Sequence, residues 1–195
     1  VPDVVDALDD AIYMAFDAVE PTNKRYLLGL DVSGSMNHDV SGMNNLSCME
    51  GALIMSLITN HVEPMTSVMA FDHGIRDIHV SKKERLNTAI KQLPRNYGGT
   101  DCALPMIHAL NNGMEVDVFC IYTDSETWVG KIHPFKALQE YRKQTGIPAK
   151  LVVIGMTSTG FSIADPHDPG MLDVVGFDTQ TPAAIAEFAK LDFSV

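Results

Sequence analysis

Three short segments of the chain carry oxygen donors that could bind one metal ion together. They contribute two carboxylates and three hydroxyls, and neither nitrogen nor sulfur: Asp31, Ser33, Ser35, Thr100 and Asp124. Hard oxygen donors of this kind select Mg²⁺ over zinc, with Mn²⁺ or Ca²⁺ as substitutes. The first segment follows an apolar stretch at residues 26–31, and the last follows another at residues 116–122. The sequence predicts a divalent-metal site if the fold brings these segments together.

Each segment alone has a simpler explanation in local backbone structure. Asp and Ser favour tight turns, so the pattern Asp-x-Ser-x-Ser at residues 31–35 is by itself a weak sign of metal binding. Asp124 alone could be a helix N-cap, and we interpret Asp101 as the cap of the following helix rather than as a ligand. Only the combination of three segments favours a metal site.

The large share of hydroxyl donors has a chemical consequence. Hydroxyls are neutral and weak ligands, so a metal held directly by Ser33, Ser35 and Thr100 stays electrophilic when both aspartates act through water. An open octahedral position would then accept a phosphate or an acidic residue of a partner. We expect an acidic residue of a protein partner at that position.

Apolar spacing predicts helices and strands in near-alternation along the chain. Helices are predicted at residues 3–19, 46–62, 82–93, 102–112, 134–145 and 182–191. Strands are predicted at residues 26–31, 67–71, 75–80, 116–122, 150–155 and 172–177. This order predicts an α/β fold with a mostly parallel sheet covered by helices. A hairpin turn at residues 72–74 supplies one antiparallel edge strand.

The predicted topology explains how the donor segments could meet. Ligands of an open parallel sheet bind beyond the carboxyl ends of the strands, where the strand order reverses. Asp31 and Asp124 each end a strand, and they share one crevice if those strands are neighbours. The hairpin at residues 72–74 reverses the chain direction, so the strand at 75–80 runs away from the carboxyl ends of the parallel strands. The helix at 82–93 then runs back towards those carboxyl ends and places Thr100 at the same edge as Asp31 and Asp124.

The composition describes one acidic globular domain. The chain has 195 residues, 46% hydrophobic content and a formal net charge of −11. Such a charge repels phosphate backbones, so we do not expect this domain to bind nucleic acid by itself. It has no apolar run long enough to cross a bilayer, no basic leader and no C-x-x-C pair among three cysteines. We expect a cytoplasmic protein that binds no membrane, with the nucleus open as a location for a longer parent protein.

The three donor segments as a set resemble the metal-ion-dependent adhesion site (MIDAS) of von Willebrand factor type A (vWA) domains. That pattern is Asp-x-Ser-x-Ser, a later Thr and a later Asp, and it covers most of the chain from Tyr26 onward. The resemblance implies a doubly wound, Rossmann-like sheet with helices on both faces. It also implies that the same five residues hold the metal.

Longer stretches resemble the C-terminal domain of the Ro (SS-A) ribonucleoprotein autoantigen family. They are residues 25–36, 98–106, 122–127, 148–153 and 155–173, of which the last is the most specific to the family. Ro proteins carry a ring of helical repeats that binds small noncoding Y RNAs and the ends of misfolded RNAs, and the type A domain closes that ring. The resemblance therefore implies that these RNAs bind through the ring and not through the residues of this chain.

The resemblance also implies a domain organisation. The helical ring is absent here, so we interpret the chain as an excised or engineered type A domain of a Ro-like protein. Residues 1–25 are expected to form a junction helix and linker, and residues 26–195 the vWA domain with its metal site. We expect the isolated domain to be monomeric.

Three functions compete for the predicted site. We favour a metal-dependent protein-binding module that is not an enzyme, over a metal-dependent phosphohydrolase or a structural clasp whose metal site is unused. A phosphohydrolase on this kind of sheet usually needs an Asp nucleophile, a second acid two residues later and a nearby Lys. Here residue 33 is Ser, and no Lys lies close to Asp31 or Asp124 in the sequence.

Three further side chains lie near the donor segments in the sequence, where a partner could contact them. Trp128, the only tryptophan, follows Asp124 closely, and we expect it to pack over the next helix rather than to anchor a partner. Met36 and Met43 flank the first donor segment and could form an adaptable rim around the site.

Overall fold

Six strands form one sheet in the order β3-β2-β1-β4-β5-β6. Their bounds are β1 Arg25–Asp31, β2 Met65–Phe71, β3 Ile75–Asp77, β4 Val118–Thr123, β5 Lys150–Gly155 and β6 Met171–Val175. All neighbouring strands run parallel except β3, which pairs antiparallel with β2. The predicted fold class, with its single antiparallel edge strand, is confirmed.

The structure is a computed structural model, and it describes residues 19–82, 84–94, 98–124, 130–157, 162–176, 178 and 180–192. The predicted helix at residues 3–19 and Trp128 lie outside these ranges, apart from residue 19. The division of the chain at residue 25 into a junction and a domain therefore stays a prediction. No helix in the described ranges is long and apolar enough to span a membrane.

Helices cover both faces of the sheet. Their bounds are α1 Cys48–Val62, α2 Leu86–Gln92, α3 Leu104–Asn111, α4 Pro134–Thr145 and α5 Thr181–Lys190. Residues of α1, α2 and α5 share one buried apolar cluster with alternate strand residues such as Leu28 and Cys120. Residues of α3 and α4 share the other cluster with Leu27, Phe119 and their counterparts. Because side chains alternate along a strand, each apolar strand fills two cores, which explains why β4 and β5 are buried throughout.

Local sequence signals fix where several helices begin and end. Ser47 accepts a hydrogen bond of 3.2 Å from the backbone N–H of Glu50, and Glu50 accepts one of 3.0 Å from the backbone N–H of Ser47. This capping box starts α1. At the C-terminal end of α4, Gly146 takes the left-handed conformation that ends a helix, so α4 ends at residue 145, where the sequence predicts its end.

Two predicted elements near the edge of the sheet are too long, for a shared reason. Strand β3 ends at Asp77 rather than at residue 80, and α2 begins at Leu86 rather than at residue 82. The segment between them is bonded to the end of α1. There, Nζ of Lys82 donates hydrogen bonds of 2.7 Å to the Glu63 carbonyl and 3.1 Å to the Pro64 carbonyl. Local periodicity carries no information about these long-range bonds.

Candidate metal centre

The two predicted carboxylates lie at the ends of neighbouring strands. Strand β1 pairs with β2 on one side and with β4 on the other, so the chain reverses its direction across the sheet at the β1–β4 pair. Asp31 is the last residue of β1, and Asp124 directly follows β4. Both carboxylates are buried, at 0% and 2% exposure. The two strands are neighbours, which is the condition that the sequence argument set, and their pairing brings two of the three donor segments to one crevice.

Asp31 is held by hydrogen bonds to both of its carboxylate oxygens. Oδ1 accepts a bond of 2.9 Å from the backbone N–H of Ser33, and Oδ2 accepts one of 2.7 Å from the hydroxyl of Thr123. Burial, with a smaller contribution from the negative charge of Asp124, nevertheless raises the pKa of the Asp31 carboxyl to about 6. Two acidic groups in a desolvated crevice favour a bound cation.

The two serines lie on a short 3₁₀ turn, Gly34–Asn37, that begins directly after Ser33. Their hydroxyl oxygens are 3.2 Å apart, and Ser33 is buried while Ser35 is half-buried. Met36 is fully buried in the core beneath this turn and anchors it. The prediction that Met36 forms part of an adaptable rim is therefore wrong, because its side chain points into the protein, whereas Met43 is 37% exposed.

Thr100, the third donor segment, lies on a loop that is tied to the turn after β2. The backbone N–H of Asp101 donates a hydrogen bond of 2.9 Å to the carbonyl of Asp72. The carboxylate of Asp101 accepts a bond of 3.1 Å from the backbone N–H of Ala103. Ala103 is itself the N-cap of α3, without a side-chain cap bond, so the prediction that Asp101 caps this helix is wrong: its carboxylate closes the turn that precedes the helix. Thr100 itself is 2% exposed.

Cys102 shows that the three donor segments meet. Its buried thiol lies against the hydroxyl of Thr123, and the charges of Asp31, Asp101 and Asp124 all act on it. Burial, aided by these charges, holds the pKa of the thiol well above its usual range, so the thiol stays protonated at neutral pH. A residue two positions after Thr100 is thus in electrostatic contact with both strand-end aspartates.

Sequence reasoning missed two residues that support the site. Thr123 binds Asp31 from the neighbouring strand, and Thr157, at the end of β5, donates a hydrogen bond of 2.5 Å to the backbone carbonyl of Asp124. Thr123 has a local signal, because it is a polar residue at the end of an otherwise apolar strand and directly precedes Asp124. The contribution of Thr157 depends on the β4–β5 pairing and has no local signal.

The donor set fits a hard divalent cation. In the residues that the structure describes, no group of three or more His, Cys, Asp or Glu side chains is arranged to hold a metal ion. The candidate centre differs because hydroxyls supply three of its five donors. The hydroxyls of Ser33, Ser35 and Thr100 would hold the metal directly, and Asp31 and Asp124 would supply charge through water. The role of all five as ligands stays a prediction.

Comparison with known proteins agrees with this architecture. A family model described as the Ro60 vWA domain matches residues 25–189. The RNA-binding protein RO60 of Deinococcus radiodurans is 45% identical over 192 residues, which are 97% of this chain and 36% of that protein. The chain therefore spans about a third of the length of this relative.

Solved structures show the same fold. The crystal structure of the D. radiodurans Ro (RSR) protein superposes with a TM-score of 0.86 at 45% identity, over 97% of this chain and 39% of that one. Proximal thread matrix protein 1 from the mussel byssus, with a zinc-occupied MIDAS motif, has a TM-score of 0.55 at 11% identity. That match covers 88% of this chain and 48% of the mussel chain, and it shows the fold alone. Because the family model matches residues 25–189, which are most of the chain, the chain belongs to the Ro60 vWA domain family.

Proposed function

We propose that this domain is a Mg²⁺-dependent protein-binding module of a Ro60-type RNA-binding protein. The observation that carries the proposal is the convergence of three oxygen-donor segments where β1 and β4 meet, around the desolvated carboxylate of Asp31. A dication there would offset the charge of Asp31 and Asp124, and Mn²⁺ or Ca²⁺ would substitute for Mg²⁺. The mussel protein with a zinc-occupied MIDAS motif supports the proposal by analogy of fold.

The partner we propose is a protein that offers an acidic side chain to the metal. Neutral hydroxyl ligands leave the metal electrophilic, and a carboxylate would fill an open coordination position. A surface with a net charge of −11 opposes direct binding of RNA, so Y RNA and misfolded RNA are assigned to the ring of the full-length protein. We place the protein in the cytoplasm.

The site geometry favours a binding module over a phosphohydrolase. Both oxygens of Asp31 already accept hydrogen bonds, from the backbone of Ser33 and from Thr123, so this carboxylate is poorly placed for attack on phosphorus. Release of p-nitrophenol from p-nitrophenyl phosphate, abolished by Asp31→Ala, would overturn the proposal.

The metal site is tested by thermodynamic linkage. A ligand at one hundred times its Kd stabilises the folded state by about 2.7 kcal/mol, so saturating Mg²⁺ should raise the free energy of unfolding of the wild type by an amount of this order. Ser33→Ala and Asp124→Ala should lose this increment. Ser56→Ala removes a buried serine outside the site and should keep it, even if the variant is less stable in chelator. An equal response to Mg²⁺ in all four proteins would disprove the site.

A second experiment separates a binding module from a structural clasp. The immobilised domain is exposed to cell extract in Mg²⁺ and in EDTA, beside the Ser33→Ala variant. A protein retained only by the wild type in Mg²⁺, and released by EDTA, supports the module. Retention of the same proteins under every condition would leave the clasp as the better description. Tight, salt-dependent RNA binding by the domain alone would contradict the assignment of RNA to the ring.

A further inference from the structure

The turn after β2 lies against the loop that carries Thr100. This turn, residues 72–74, is closed by a hydrogen bond of 2.9 Å from the backbone N–H of Asp72 to the carbonyl of Gly74. It is closed a second time by a bond of 2.8 Å from the N–H of Gly74 to Oδ1 of Asp72. The Asp72 carboxylate is fully buried, with Oδ2 3.7 Å from Nη2 of Arg76. The turn is therefore a rigid feature at the edge of the metal centre.

The first contact between the turn and the Thr100 loop is a backbone hydrogen bond. The N–H of Asp101 donates to the carbonyl of Asp72 at 2.9 Å. This bond fixes the residue directly after Thr100.

The second contact fixes the other side of Thr100. The imidazole of His73 lies against the α-carbon of Gly98, so that a Cβ added to Gly98 would lie 2.9 Å from Cε1 and 3.2 Å from Cγ of the ring, and closer still to Nδ1. The ring is also 3.4 Å from Oδ1 of Asp72. Because the His73 side chain is 71% exposed, the core does not hold it there, and Asp72 and Gly98 are two neighbours that it contacts.

Thr100, which is itself buried, thus lies between two contacts with the turn, at residues 98 and 101. The segment 98–100 has no regular secondary structure, and Gly98 and Gly99 are intrinsically permissive residues. Such a loop cannot place a hydroxyl accurately unless something outside it restricts its movement. A direct metal ligand demands that accuracy, since outer contacts that orient ligands typically affect metal affinity about 10–100-fold.

We infer that His73 is a positioning residue of the metal centre, and that its contact with Gly98 sets the place of the Thr100 hydroxyl. The inference rests on the proposed metal function and adds to it a residue outside the five donors. It also gives a reason for glycine at residue 98, since a Cβ there would be too close to the imidazole unless the ring moved away.

A double-mutant cycle tests this contact, with Mn²⁺ affinity measured by electron paramagnetic resonance. His73→Ala should weaken Mn²⁺ binding about tenfold, and Gly98→Ala should weaken it at least as much. The double variant should bind like His73→Ala alone, because the added methyl group then meets no ring. Two matched controls should bind like the wild type: Gly74→Ala, where a Cβ would meet only Oδ1 of Asp72 at 3.8 Å, and His79→Ala, an exposed histidine beyond β3.

The outcomes separate this inference from the proposed function. If the wild type binds no Mn²⁺, both are wrong. If the wild type binds, but His73→Ala has no effect or Gly98→Ala costs the same with and without His73, only the positioning role is wrong. Should Gly98→Ala fail to fold in EDTA, amide hydrogen exchange decides: His73→Ala must speed exchange at residues 98–101 and His79→Ala must not.

Discussion

Thr123 donates its hydroxyl hydrogen to Oδ2 of Asp31 across 2.7 Å, from the end of one strand to the end of its neighbour. With the backbone N–H of Ser33 on Oδ1, the carboxylate is fixed at both oxygens before any metal arrives. A preset carboxylate loses little freedom when it binds water on a cation. The bond also links β1 to β4 at the point where the sheet reverses direction.

Replacing Thr123 by Val should weaken both the fold and the metal site. Valine keeps the shape of the side chain and removes the hydroxyl, which leaves a buried carboxylate oxygen without its donor. We expect a loss of about 1–3 kcal/mol in the free energy of unfolding, measured by urea denaturation in EDTA. Thr123→Ser keeps the hydroxyl and should lose much less. Equal losses for Val and Ser would mean that packing of the methyl group, not the hydrogen bond, explains the effect.

The raised pKa of Asp31 predicts the pH dependence of the metal-free protein. Because its pKa is about 6 in the folded state and 3.8 ordinarily, the folded state binds the proton more tightly than the unfolded state. Stability from this group therefore rises as the pH falls through 6 towards 4, and is lost as the pH rises again. Between about pH 7 and about pH 4.5 the wild type should gain roughly 2 kcal/mol relative to Asp31→Asn, when both are unfolded by urea in EDTA.

Saturating Mg²⁺ should abolish or reverse that trend. A cation beside Asp31 favours the ionised carboxylate, so acid then removes the metal and with it the added stability. The same urea series repeated in Mg²⁺ gives the comparison. A wild type that keeps its acid-induced gain in Mg²⁺ would show that no cation reaches Asp31.

The strands and the hairpin could be predicted because their signals are local. The buried strands β4 and β5 are continuous apolar runs, and the turn at residues 72–74 follows directly from its Asp-His-Gly sequence. The ends of β3 and α2 could not, because the bonds of Lys82 to the end of α1 join residues that are distant in sequence.

The candidate metal site also has a part that the sequence predicts and a part that it does not. The five donor residues have residue types and spacing that are visible in the sequence, and strand adjacency explains how they converge. The supporting contacts of Thr157 and His73 have no such signal, because each depends on which loop the fold brings alongside. The donor residues of the site are thus easier to predict from the sequence than the contacts that position them.

Lys150, a buried lysine at the start of β5, binds carbonyl groups at the C-terminal end of α5. Its replacement should destabilise the domain. Nζ of Lys150 donates hydrogen bonds to the carbonyls of Phe188 at 3.0 Å and Ala189 at 2.7 Å, and also to the carbonyl of Leu191. The Phe188 carbonyl also accepts a bond of 3.3 Å from the backbone N–H of Leu191, but the last carbonyls of a helix lack the full set of partners that a further turn would supply. Lys150→Met should cost about 2–4 kcal/mol in urea denaturation, because charged donors are lost from buried acceptors.

Lys24→Met is the matched control for this variant. Lys24 and Lys150 line one small cavity, and Lys24 is only half-buried. Its replacement should change stability little. If Lys150→Met proved as stable as Lys24→Met, the apolar contacts of the methionine would be compensating for the lost hydrogen bonds.

An ion pair between Arg142 and Asp168 fastens the loop before β6 to α4. The pair is 2.5 Å long with side chains only 13% and 14% exposed, and Nε of Arg142 also donates to the carbonyl of Ala149 at 2.7 Å. Asp168→Ala leaves the guanidinium without its carboxylate and removes the acceptor of the Gly170 N–H. We expect a loss of roughly 2–4 kcal/mol and faster proteolytic cleavage within residues 162–170.

Asp173→Ala, an exposed carboxylate on β6, should be cleaved like the wild type. The ion pair lies at the amino ends of β5 and β6, at the opposite edge of the sheet from the metal centre. The increment in stability on adding Mg²⁺ should therefore be the same in Asp168→Ala as in the wild type. A reduced increment would show that this loop and the metal centre are coupled through the sheet, because no side chain joins them directly among the described residues.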